Sequence, residues 1–445
     1  MLKTLLTTRK ISSLAPATAL ASVLALAAGL PVTAAADEVS ELKAAVAALQ
    51  KRLDQLETRA QSVDDTNDKQ TDQIAMARAN VGSWVPNFTF KGDMRYRNEN
   101  IDQEFAGVRN RDRIRVRTGF TAKVNDTVKT EFGLSTSETS SIADGGDPRS
   151  SNQTLTNGNS RKGVYVDVAY VEWQPHADWK FTAGKMKYPW VRAGQSVFFD
   201  GDVNPEGLAV NFAHGDFFAS SFYNVLEERA TVSQTNLTAS GESTMGGMQV
   251  GWKPMVGPGR LTIGASYFDA NSVQNRAPSY SSANGNTTKN TGCIGGGTGC
   301  LANDYNLLEF FADYSVPVGG RPLAVYIDYV KNDKAINDLD TAYSTGVLYG
   351  RASDPHTWEI GYYYAEVDKD ALFGEYIDSD WGGGNTDADG HVFKFAYAFA
   401  RNWILNTTYI VNKTNKDVAT TVPGVVGSVF DRGYKRLQVD MNFRY

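Results

Sequence analysis

RNRDRIRVRTGFTAKV, residues 109–124, sets Arg111, Arg113, Arg115 and Arg117 in alternation with Asp112, Ile114, Val116 and Thr118. Successive side chains of a β-strand point to opposite faces, so a strand here carries four guanidinium groups on one side and a mostly apolar row on the other. A helix would scatter the same arginines around its axis. Two settings accept such a strand. One is a sheet with one solvated face; the other is a membrane barrel with lipid outside and water inside.

The segments on either side favour the barrel. Beyond Pro86, alternating runs of about ten residues recur, the length of a tilted strand crossing hydrocarbon. In the first, Phe88, Phe90, Met94 and Tyr96 share a face opposite Thr89, Lys91, Asp93, Arg95 and Arg97. The pattern returns in Val128–Leu134, Leu261–Tyr267, Leu308–Tyr314, Leu323–Tyr329, Tyr343–Tyr349, Trp358–Tyr364 and Phe393–Phe399. Residues 164 to 173 are ambiguous, because both faces are apolar. The links alternate in length. Short ones such as NDT at 125, PHAD at 175, AHGD at 213, PVGGRP at 317 and RN at 401 interleave with long polar ones near 140–162, 227–244, 271–303, 368–390 and 413–433. Outer-membrane barrels sort their connections into short periplasmic turns and long extracellular loops, whereas a soluble sandwich has no reason to. The expected fold is therefore an all-β transmembrane barrel over residues 87–445 with about 16 antiparallel strands. At that number the interior is wide enough for water, and the arginines face it.

The ends of the chain agree. Lys3, Arg9 and Lys10, an Ala/Leu run and Ala34, Ala35 and Ala36 read as a secretory signal peptide over residues 1–36. Its removal takes the net charge from −6 to −9, an acidic balance that argues against nucleic acid as a partner. The mean hydropathy of −0.35 excludes a bundle of membrane helices but not a barrel, half of whose side chains face water. Val39, Leu42, Val46, Leu49, Leu53, Leu56, Ala60 and Val63 alternate at three and four residues. That spacing predicts a periplasmic coiled-coil helix over 37–81, about 60 Å long, which Gly82 and Pro86 end. The last strand, KRLQVDMNFRY, puts Leu437, Val439, Met441, Phe443 and Tyr445 on one face and Arg436, Gln438, Asp440, Asn442 and Arg444 on the other. It resembles the assembly signal of bacterial outer-membrane barrels, many of which end in Phe where this chain has Tyr445.

The segment from Gly184, Lys185, Met186, Pro189 and Trp190 to Asp202, Val203, Asn204, Pro205, Glu206 and Gly207 lacks the low-complexity character of the other loops. General bacterial porins fold their third extracellular loop inward at this topological position. With the heptad helix ahead of it, the chain resembles the porin family of Gram-negative outer membranes that carries an N-terminal coiled coil, and more distantly the phosphate-selective porins. The resemblance implies a homotrimer in outer-membrane lipid and lipopolysaccharide, with the third loop, near 185–206, narrowing the pore. Asp200, Asp202 and Glu206 would then oppose Arg95, Arg111, Arg113, Arg115 and Arg117 across the lumen, producing a transverse field that disfavours apolar solutes.

Other candidates follow from the residues alone. Cys293 and Cys300, the chain's 2 cysteines, read as a disulfide in an exported protein. Asp378, Asp380, Asp387 and Asp389 cluster at spacings that fit no calcium loop, so 378–390 reads as a solvated loop, with neither a metal nor a cofactor implied. No Gly-x-Ser-x-Gly element is present, and His176, His214 and His356 fall in short turns, so an enzyme is not expected. The expected function is passive diffusion of small hydrophilic solutes and ions. The alternatives are an anion- or phosphate-specific channel, or a tether in which residues 38–80 contact the cell wall.

Overall fold

A computed structural model describes residues 36–80, 87–138, 145–156, 158–228, 241–280, 282–294, 297–421 and 427–445. The signal-peptide region and the helix-ending Gly82 and Pro86 lie outside them. The chain divides into two units, Met1–Val85 and Pro86–Tyr445. The first contains one helix, α1 (Ala36–Asn80). Of its heptad seam, Val46, Leu49, Leu53, Leu56 and Val63 are all exposed in the single chain. Among the described residues no helix is long and apolar enough to cross a membrane.

The second unit is a closed antiparallel barrel. Its strands are β1 (Phe88–Gln103), β2 (Gly107–Lys123), β3 (Val128–Thr136), β4 (Val164–His176), β5 (Trp179–Lys185), β6 (Glu206–His214), β7 (Phe217–Glu227) and β8 (Ser243–Trp252). They continue as β9 (Gly259–Asn271), β10 (Tyr305–Val318), β11 (Arg321–Asn332), β12 (Thr341–Gly350), β13 (Trp358–Val367), β14 (Ala388–Ala400), β15 (Trp403–Thr414) and β16 (Arg432–Arg444). Each pairs with the next. β1 closes on β16 from Asp93 opposite Arg444 to Gln103 opposite Tyr434, so the sheet has no free edge. Beyond that ladder, Gly92 and Tyr445 exchange backbone hydrogen bonds of 3.0 and 3.1 Å.

The loop rhythm holds with two exceptions, of which the β11–β12 connection, residues 333–340, is scarcely longer than the turn that follows β12. The β1–β2 connection is a tight turn, with Phe105 and Gly107 at φ 64° and 78°, although it lies at the long-loop end of the barrel. The ambiguity of residues 164–173 also has a physical cause. A β-bulge opposite Gly133 and Leu134 shifts the register, so Val164 and Val166 face outward before it and Ala169, Val171 and Trp173 after it, while Val168 turns inward over Gly133. A strict two-residue period cannot represent that slip.

Outward rows are apolar and bordered by aromatic rings. At the short-turn end Trp179 meets Phe212 at 4.8 Å, Phe217 meets Trp252 at 6.0 Å and Trp403 meets Phe443 at 5.8 Å. At the other end Tyr343, Tyr364 and His391 form a second group. Two aromatic girdles flanking an apolar band match a barrel crossing a bilayer.

Candidate pore constriction

The inner wall has two unlike halves. On β7 to β12 aromatic rings lie over glycines, with the buried Gln249, Ser266, Glu309 and Asp328 among them: Phe222 covers Gly247, Phe218 covers Gly251, Phe311 covers Gly264 and Tyr326 covers Gly346. A Cβ at any of these glycines would meet the neighbouring ring, which is why the inward rows there alternate glycine with aromatics. The β5–β6 loop, residues 186–205, packs on this half. Trp190 lies tilted against Phe222 at 4.4 Å and meets Phe268 and Phe199 at 5.2 and 5.3 Å. Gln249 on β8 binds both the N–H and the carbonyl of Val191 at 2.8 Å. Burying Trp190, Val197, Phe198 and Phe199 contributes roughly 2 kcal/mol per side chain, enough to hold the loop in a lumen that would otherwise be wet.

The β13–β14 loop, residues 368–387, interlocks with it. Asp200 donates its N–H to the Tyr376 carbonyl at 2.7 Å, and its carboxyl accepts from the N–H groups of Ser379 and Asp202 at 2.7 and 2.8 Å. Reciprocally, Asp378 donates to the Val197 carbonyl at 2.9 Å and accepts from Asp380 and Trp381 at 2.8 and 3.1 Å. Burial, followed by the proximity of Asp378 and Asp202, pushes the Asp200 carboxyl well above the ordinary range; burial and then Asp380 raise Asp378. Asp200 thus braces two loops and, among the described residues, forms no ion pair with an arginine. The sequence-based picture of 378–390 as a solvated loop is also corrected: Trp381 is fully buried and Asp378 and Asp380 lie within the barrel's polar network.

The opposite half of the wall, on β1, β2 and β16, carries the arginines. The register places Arg95 directly opposite Arg115 and Arg97 opposite Arg113, arrangements that are unfavourable unless carboxylates intervene. They do. Asp93 lies 2.7 Å from both Arg115 and Arg117. Asp440 contacts Arg97 at 2.7 Å and Arg95 at 3.4 Å. Glu99, 0% exposed, takes Arg436 at 2.5 Å and Arg113 at 3.6 Å and is bonded to Arg111 as well.

Two carboxylates reach this wall from the inward loops. Asp202 meets Arg117 at 3.4 Å and accepts from the backbone and hydroxyl of Ser151 at 3.0 and 2.8 Å. Asp380 meets Arg97 at 2.9 Å and Arg436 at 2.7 Å. Burial works against both carboxylates, but Arg115 and Arg117 outweigh it at Asp202, and Arg436 and Arg97 hold Asp380 well below the usual range. Acid and base are therefore in contact, where the sequence suggested facing rows. Glu206 is not among them. It shares the outward parity of Leu208 on β6, is 63% exposed and pairs with Lys185 at 2.7 Å.

Of the expected site residues, the structure gathers Arg95, Arg111, Arg113, Arg115, Arg117 and Asp202, and sends Asp200 and Glu206 elsewhere. It adds Asp93, Arg97, Glu99, Asp380, Arg436 and Asp440. Pairing the last strand with the first would have disclosed Arg436 and Asp440; Asp380 stands in the acidic cluster of 378–390, which the sequence reads as a solvated loop. Cys293 and Cys300 are disulfide-bonded, with Cα atoms 5.7 Å apart, in the β9–β10 loop.

Residues 102–294 match the family described as Putative porin. No protein of curated function matches the chain. Among solved structures, OprB of Pseudomonas putida is similar at a TM-score of 0.51 and 12% identity, covering 81% of this chain and 95% of OprB. The trimer form of OmpT, an outer membrane protein of Vibrio cholerae, gives 0.46 and 13%, over 80% and 99% of the two chains. A mutant Rh. blastica porin gives 0.43 and 11%, over 80% and 100%. Residues 102–294, under half of the chain, are thus similar to a porin family, and they form part of a closed barrel with an arginine-walled interior.

Proposed function

We propose that this chain is a porin of the outer membrane, a water-filled channel for passive diffusion of small hydrophilic solutes and ions, working without covalent chemistry. The observation that carries this reading is the contact between the arginine wall and the carboxylates of two loops anchored inside the barrel. A charged, polar cross-section in an otherwise wide barrel passes hydrated solutes and rejects apolar ones. At the long-loop end, a cavity of about 930 Å³ leads towards it, lined in part by Asp147, Asp167, Asp202 and Glu375. A phosphate-type filter is less well supported. It needs cations free to replace the anion's hydration, and Arg97, Arg111, Arg113, Arg115, Arg117 and Arg436 all have carboxylate partners.

The remaining assignments belong to the same proposal. The first 36 residues direct export and are removed. Helix α1 lies in the periplasm, where its exposed heptad seam supports self-association and leaves contact with the cell wall open to a homotrimeric barrel. Lipid and lipopolysaccharide surround the girdled outer face. Swelling of proteoliposomes tests the channel reading: vesicles containing the folded protein should swell in isosmotic pentose or glucose and not in a large oligosaccharide. Absence of swelling in the smallest sugars would sink it.

A further inference from the structure

A second cavity, about 280 Å³, lies between the β13–β16 wall and the two inward loops. Asp380 and Asp440 on its lining are balanced by Arg97 and by Arg436 behind it, at 2.7–2.9 Å. Two full charges on the opposite part of the lining are not so engaged. Among the described residues, Lys394 of β14 makes no hydrogen bond or ion pair; its ammonium sits over the Tyr363 ring, 5.1 Å from the centroid. Glu359 of β13 likewise has no partner within bonding distance. The register sets Glu359 opposite Ala396 and Lys394 opposite Gly361, so the two are diagonal neighbours on one face, with backbones roughly 7–8 Å apart. The Tyr363 ring holds the ammonium by a cation–π contact, and the gap to Glu359 stays open.

We infer that this cavity is a binding site for small zwitterions, an amino acid being the simplest, with the solute's carboxylate on Lys394 and its ammonium on Glu359. The inference rests on the channel reading and names the solute class its lumen favours. A net anion placed here meets Glu359, Asp378, Asp380 and Asp440; a net cation meets Arg95, Arg97 and Lys394. A neutral sugar displaces water from both charges and returns only neutral hydrogen bonds. A molecule neutral overall but charged at each end satisfies both and leaves neither buried alone.

The test is single-channel recording of the full-length protein in potassium chloride with glycine, acetate, methylammonium or glucose added separately at neutral pH. Glycine should reduce the current or raise open-channel noise at concentrations where the other three do not. Lys394→Gln and Glu359→Gln, each required first to form channels in potassium chloride, should raise the half-effect concentration of glycine about tenfold, the loss of one charge-assisted contact. The double exchange Lys394→Glu with Glu359→Lys retains both charges and should restore much of the effect. Glycine acting equally on all variants, or acetate acting as well as glycine and independently of Glu359, overturns the assignment while the channel stands. Wild-type protein that is folded but never conducts overturns the channel reading, and this inference with it.

Discussion

Replacing Asp380 by Asn isolates the contact between the β13–β14 loop and the arginine wall. The carboxylate accepts from Arg97 at 2.9 Å, from Arg436 at 2.7 Å and from Gln438 at 2.9 Å, and its side chain is 26% exposed. Asparagine keeps the size but removes the charge and turns an amide donor towards three donors. Hydrogen bonds to charged groups contribute about 1.5–3 kcal/mol each; with a quarter of the side chain exposed, the low end applies, and losing two costs about 3 kcal/mol. That weakens the wall contact on the order of 150-fold. The interlock through Asp200 and Asp378 remains, so the loop should stay inside the barrel but lose its grip on the wall. The lumen also gains one net positive charge where Arg97 and Arg436 lose a shared partner. In a bilayer under a potassium chloride gradient, the variant should show more open-channel noise and a reversal potential displaced towards chloride. Asp380→Glu, which retains the charge, should recover most of the wild-type selectivity. Unchanged noise and an unchanged reversal potential in Asp380→Asn would refute the reasoning, because the contact would then hold nothing that lines the current path.

Four further outcomes are expected. Arg117→Gln and Asp202→Asn, which disrupt a 3.4 Å pair, should move the reversal potential in opposite directions, the first towards cations and the second towards anions; equal shifts would remove the pair from the pore. Arg113→Glu is expected to fail at assembly, since it sets a second carboxylate beside the fully buried Glu99, and gel mobility of the unheated protein reads this directly. Burial pushes Glu375 of the β13–β14 loop up to about 7 against the backbone N–H groups of Ser279 and Tyr280, so its neutral form favours the docked loop. That stabilisation is complete below the ordinary glutamate range and is lost as pH rises through about 7; channel noise should grow across that interval, and Glu375→Gln should abolish the dependence. Deleting residues 37–81 should leave single-channel conductance nearly intact while weakening assembly or retention on cell-wall material, measured by sedimentation with purified peptidoglycan.

The barrel was legible in the sequence because period-two alternation and loop length are local properties. Arg111 to Arg117 could be assigned to the lumen from four alternate positions, and the closing strand from Leu437 to Tyr445 by the same rule. The constriction was only half legible. Asp202 and Asp200 are two residues apart in one loop, yet one reaches Arg117 and the other is turned into the neighbouring loop; nothing in their spacing distinguishes an ion pair from a backbone brace. Glu206 was misplaced because β6 begins at that residue, and its parity with Leu208 is visible only once the strand boundary is known. Asp380 lies in a glycine-rich stretch that reads as solvated, and its burial depends on packing against a loop almost two hundred residues earlier. The glycine and aromatic inner wall offered a signal, Gly247, Gly251 and Gly264 facing Phe222, Phe218 and Phe311, but reading it requires the strand register.

The central claim is that folded barrels conduct through a cross-section set by the arginine wall and its two loop carboxylates. The most direct test is single-channel conductance of the refolded protein in a planar bilayer under a salt gradient, compared with Asp202→Asn/Asp380→Asn in the same membrane. Discrete conductance steps whose reversal potential moves towards chloride in the double variant are predicted. A folded barrel that conducts nothing, or one whose ion preference is the same in both proteins, would contradict the account.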